Sequence, residues 1–180
     1  MVIALLAGAC SAAVSNSAAQ DANAIACAGQ PTDAATDAGR VAADVRRATE
    51  GGPLFARLAA TGGRPACRMS IDGSRTDIEF TFSNGATLRA AIDPQIEYRD
   101  QEARFAAPLA TTEAVDLLKS AEGRSFSGGC GVNWSQPERI EGSPSALPQT
   151  VFRGGRCNCQ ARVNHAADGR ALSVTFSTAC

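Results

Sequence analysis

The sequence predicts an α+β fold stapled by disulfides: an N-terminal pair of helices, an antiparallel β-meander, one further helix and a C-terminal β-hairpin. Three observations carry this. Apolar residues recur at helical spacing up to Gly62 and switch to alternation from Ala66 onward. Turn signals of the Asn-Gly and Asp-Gly type fall between the alternating segments. Six cysteines beyond residue 20, an even number, suit a disulfide framework.

The first helix is expected over Asp33 to Glu50. Ala34, Ala38, Val41, Val45 and Ala48 fall on one face, Thr32 is placed to cap the start, and Gly51-Gly52 stop it. Pro53 opens a second, shorter helix, in which Leu54 stacks on Leu58 and Phe55 on Ala59, ending at Gly62-Gly63.

The strands begin at Arg68 to Ile71, with a turn at Asp72-Gly73. Ile78, Phe80 and Phe82 then alternate with Asp77, Glu79 and Thr81. A three-residue loop, Ser83-Asn84-Gly85, sets Phe80 opposite Leu88, Ile78 opposite Ala90 and Glu79 opposite Arg89. A two-residue loop would oppose Phe80 to Arg89 and spoil both faces. Asp93-Pro94 turns the chain, and Ile96 to Phe105 supplies one or two more strands. Thr112 to Ala121 reads as the third helix, with Val115, Leu117, Leu118 and Ala121 apolar and Gly123 just past its end. Ser125 to Trp134 is read as a short strand, and the proline-bearing stretch from Gln136 to Gln149 as a long surface loop.

The last segment is a hairpin around a two-residue turn at Asp168-Gly169. Counting outward pairs His165 with Leu172, Val163 with Val174, Ala161 with Phe176, Cys159 with Thr178 and Cys157 with Cys180. Facing Cβ atoms lie within about 5.5 Å, close to disulfide reach. Cys157–Cys180 is therefore the first choice, with the diagonal Cys159–Cys180 as its alternative. Cys27–Cys67 would pin the lead-in to the first strand, and Cys130 would take the spare member of Cys157 and Cys159.

The start of the chain reads as an export signal. Met1 to Ala9 is an uncharged apolar run followed by small and polar residues, with Ser17-Ala18-Ala19 suiting a cleavage site. It is far shorter than the about 20 residues a membrane span needs. No Lys or Arg precedes Arg40, which points to a start codon upstream of Met1. The expected organisation is a signal over residues 1–19, a flexible lead-in over 20–31 and one α+β domain over 32–180. Leu6-Ala7-Gly8-Ala9-Cys10 resembles a bacterial lipobox, which would make Cys10 a lipidation site and the membrane a partner through that lipid alone.

Composition narrows the function classes. The formal net charge is −1 and aromatics are 5%, so neither a nucleic-acid surface nor a large core is expected. Lys119 is the sole lysine among 17 basic residues, in keeping with a GC-rich, bacterial source. Asn133-Trp134-Ser135 is a glycosylation sequon in form, of consequence only in a eukaryotic secretory pathway.

Ser127-Gly128-Gly129-Cys130-Gly131 resembles the nucleophile motif of L,D-transpeptidases, exported enzymes that cross-link peptidoglycan. It departs where that family carries a His two before the cysteine and an Arg two after it: Gly128 and Val132 stand there, and no His precedes Cys130. A disulfide role for Cys130 is the reading adopted. His165, the single histidine, could serve as a base or ligand, and Cys157-Asn158-Cys159 could take a soft metal, but a near-turn imidazole and disulfides account for both. No catalytic, metal or cofactor set is assigned. The expected function is an exported, non-enzymatic domain that binds a protein or glycan. The alternatives are an exported hydrolase or transferase on cell-wall or extracellular polymer, and a structural lipoprotein anchored through Cys10.

Overall fold

The computed structural model describes residues 25–31, 33, 36–95, 97–122, 131–144, 146–155 and 158–179. The signal expectation, Cys10, Thr32, the start of the 125–134 segment with Cys130, and both Cys157 and Cys180 lie outside them.

Among the described residues there are three helices, α1 (Asp37–Glu50), α2 (Pro53–Gly62) and α3 (Thr111–Glu122). Nine strands follow the chain: β1 (Cys27–Ala28), β2 (Ala66–Asp72), β3 (Arg75–Thr81), β4 (Thr87–Asp93), β5 (Tyr98–Leu109), β6 (Glu138–Ile140), β7 (Gln149–Arg153), β8 (Gln160–His165) and β9 (Ala171–Thr178). All nine join one sheet in the order β1-β2-β3-β4-β5-β9-β8-β7-β6. The meander and the terminal hairpin are thus fused: β9 pairs antiparallel with β5 as well as with β8.

The β3–β4 hairpin has the expected register. Phe80 faces Leu88, Ile78 faces Ala90 and Glu79 faces Arg89. Phe82 N–H donates to the Ala86 carbonyl across a loop whose Gly85 has φ 86°. That left-handed position requires a residue without Cβ strain.

Several boundaries move. Thr36, not Thr32, caps α1, its hydroxyl accepting from Gly39 N–H at 3.0 Å. The buried stripe of α1 is Gly39, Ala42, Val45 and Thr49, with Ala38 exposed. With alanines on every side of this helix, apolar contrast is too weak to mark the buried face. Of the one or two strands expected from Ile96 to Phe105 there is one, β5, and it runs on to Leu109. The 136–149 stretch is not a plain loop: it contains β6 and the first residue of β7. Of the expected 125–134 strand only 131–134 are described, and there Val132 forms one isolated bridge to Gly154.

The terminal hairpin keeps its register from Gln160 to Asn164 but not at its tip. Ala166 N–H donates to the Arg170 carbonyl, so the loop is Ala167-Asp168-Gly169, with Gly169 at φ 81°. His165 pairs with Ala171 instead of Leu172, and a bulge between Asn164 and His165 absorbs the extra residue. A left-handed glycine after a turn, followed by a bulge, is the stable three-residue alternative to the two-residue turn.

The inner face of the sheet and all three helices share one core. Phe80, Leu88, Ala103, Val163 and Val174 pack with Val45, Leu54, Leu58 and Leu118. Phe55 of α2 meets Phe80 edge-on at 5.1 Å and Phe82 at 5.7 Å. The other face is polar. One row crosses the strands as Arg68, Glu79, Arg89, Glu102, Thr175 and Arg162. At one edge, Cys27 is disulfide-bonded to Cys67, its Cα partner in the parallel β1–β2 pair. No helix among the described residues is long and apolar enough to cross a membrane.

Candidate functional site

The site is set by where the helices stop. They pack against β3, β4, β8 and β9, and the sheet continues past them as β7 and β6. Register places Arg139, Thr150 and Val163 in one row on the core side of the sheet. Beyond α3 that row becomes the wall of an open cleft of about 350 Å³. The start of α3 at Thr111, the hairpin tip and Pro148 complete it.

His165, 9% exposed, lines this cleft. Its Nδ1 lies 3.1 Å from the Gly169 carbonyl, which can only accept, so Nδ1 carries the proton in the neutral ring. Nε2 is then the acceptor for the Thr150 hydroxyl at 2.9 Å. The Thr111 hydroxyl donates to the same Gly169 carbonyl at 2.9 Å, tying α3 to the hairpin tip. The three-residue loop is what turns that carbonyl toward both groups. The imidazole near the turn is therefore buried, with both nitrogens engaged.

Ile140 lines the cleft. Ile140 is 40% exposed and Leu147, next to the cleft residue Pro148 in the chain, 49%; these are the large hydrophobic residues exposed among the described residues. Both lie on the 136–149 stretch, which the sequence pattern marked as loop. Arg139 and Glu141 flank Ile140 and line the cleft, and neither forms an ion pair with a described residue. Glu138, by contrast, is paired with Arg153 at 3.0 Å. No periodic signal could have revealed this site, because β6 is three residues long and has no buried face.

The other sequence candidates are dispersed. Cys67 and Cys27 sit at the opposite edge of the sheet. Cys159 is buried and disulfide-bonded, with its partner outside the described residues. Among the described residues no group of three His, Cys, Asp or Glu side chains is placed to hold a metal ion. On the polar face, Asp100 is pushed above the ordinary carboxylate range, by burial first and then by Glu102, with Arg75 and Arg162 pulling back. No family model, no curated protein and no solved structure matches the chain.

Proposed function

We propose that this chain is an exported, disulfide-stapled domain that binds a protein or glycan partner without catalysis, and that it does so along β6 and its cleft. One observation carries the reading: Ile140, exposed, lies on the edge strand β6, and exposed Leu147 lies on the segment that joins β6 to β7. An exposed apolar residue on an edge strand is what a partner covers. Export is supported by the Cys27–Cys67 disulfide and by the second disulfide at Cys159, bonds that persist outside the reducing cytosol.

A photo-crosslinking residue at Ile140, compared with one at exposed Asp116 on α3, tests this in the native exported fraction. A discrete adduct at Ile140 and none at Asp116 is expected. No adduct, or the same products from both positions, overturns the reading.

The hydrolase alternative draws support from the Thr150–His165 pair, a hydroxyl within reach of a fixed imidazole. Here a backbone carbonyl stands where a carboxylate would orient the base. It predicts turnover on peptidoglycan or extracellular polymer that Thr150→Ala abolishes while the fold survives. The lipoprotein alternative predicts a diacylglyceryl mass on a mature chain beginning at Cys10.

A further inference from the structure

We infer that the partner seated on β6 is a second copy of this chain, joined edge to edge by a two-fold axis through Ile140. The inference rests on the reading of β6 as the binding edge and names its occupant.

Among the described residues β6 pairs only with β7, and none of them forms a ladder on its far side. β6 ends in Arg139-Ile140, and Glu141 is the next residue of the chain. Run antiparallel against itself about Ile140, this triplet is self-complementary. Ile140 meets Ile140 of the second copy, Arg139 meets its Glu141, and Glu141 meets its Arg139. A two-fold interface demands this reciprocity, in which residue i contacts j and j contacts i. Opposite charges directly across a strand pair attract, and an apolar pair between them excludes water.

The alternative centre fails on charge. A pairing about Arg139 would set two guanidiniums against each other and oppose Glu138 to Ile140. The Ile140 centre also leaves the existing Arg153–Glu138 pair intact. It supplies partners to two charges, Arg139 and Glu141, that form no ion pair with a described residue. It buries Ile140 on the polar face while the two new ion pairs lie on the cleft side, as alternation along a strand requires.

The test is sedimentation velocity of the full, oxidised chain over a concentration series. The unaltered chain is expected to show a reversible dimer. Arg139→Glu and Glu141→Arg each turn two attractive pairs into two repulsive ones, and each should raise the dissociation constant on the order of tenfold. The double variant Arg139→Glu/Glu141→Arg should recover dimerisation, because the charges are swapped and not removed. All three positions are on the surface, and circular dichroism checks that each variant folds. A chain that is monomeric throughout, or a double variant as weak as the singles, overturns the pairing. If the chain is monomeric and Ile140 crosslinks to a different protein, self-pairing falls and the binding edge stands. If it is monomeric and Ile140 captures nothing, both fall.

Discussion

Cys27 and Cys67 are direct Cα partners in a parallel strand pair, 4.4 Å apart, and the bond between them is what holds the two-residue strand β1 on the sheet. So short a strand has too few ladder bonds to stay in place alone. The lead-in is further tied where Arg46 donates to Gln30 Oε1 at 3.1 Å.

Removing that bond should cost about 4 kcal/mol in the chain-entropy model for a separation of 40 residues. Urea denaturation of Cys27→Ala/Cys67→Ala against the parent chain checks the value. Hydrogen exchange should show Ala28 losing protection first.

The remaining sulfurs should pair as Cys130–Cys159 and Cys157–Cys180. Asn158 N–H donates to the Ala179 carbonyl at 2.9 Å, so the β8–β9 ladder runs past the last strand residues in the predicted register. Proteolysis without reduction, followed by mass spectrometry, should find Cys159 linked, Cys27 with Cys67, and no free thiol at the six positions. A Cys159–Cys180 peptide would replace this map with the diagonal one.

Gly62→Ala should destabilise the fold although the residue is helical. Relieving glycine in a helix ordinarily gains about 0.5–1 kcal/mol. Here the added Cβ would stand 2.6 Å from Phe82 Cβ and 2.8 Å from Asn84 Oδ1. Overpacking of that kind costs about 1–3 kcal/mol and outweighs the gain. Thermal unfolding should show a lower midpoint.

Glu122 closes the far end of α3 with both oxygens. Oε1 accepts from Val132 N–H and Oε2 from the Trp134 indole N–H, each at 2.7 Å. The indole also packs on Phe152 at 5.0 Å. Glu122→Ala strands two donors and should cost about 2–3 kcal/mol. Trp134 is the only tryptophan, so a red shift of its emission at low denaturant reports this joint alone.

Asp100→Asn should raise stability near neutral pH and lose that advantage in acid. Burial and the neighbouring Glu102 raise the folded carboxyl above its ordinary value. The folded state then holds the proton more tightly than the unfolded one. Its contribution is fully present below the ordinary carboxylate range and is lost as pH rises through the raised value. Melting midpoints of the two chains should converge below about pH 4 and separate above it.

How much was legible follows from how local each signal is. Ser83-Asn84-Gly85 and the alternation on either side of it lie within a few residues of one another, so hairpin and register could be read together. The same was true from Gln160 to Asn164, where side-chain alternation fixes which residues face each other. At the hairpin tip the choice between a two- and a three-residue loop turned on the Thr111 and His165 bonds to the Gly169 carbonyl, and Thr111 comes from a distant helix.

By itself, then, the chain's own pattern determined its three helices, the β3–β4 register and the β8–β9 register from Gln160 to Asn164, because turn chemistry and alternation act over a few residues. Only the tertiary structure decided that meander and hairpin form one sheet, which stripe of the alanine-rich α1 is buried, and that β6 is a strand at all. Those outcomes depend on partners far away in sequence: β9 beside β5, the core beneath Val45, and β7 alongside Glu138 to Ile140. A segment with no buried face of its own carries no periodicity to announce it, and its conformation is supplied by the strand it pairs with.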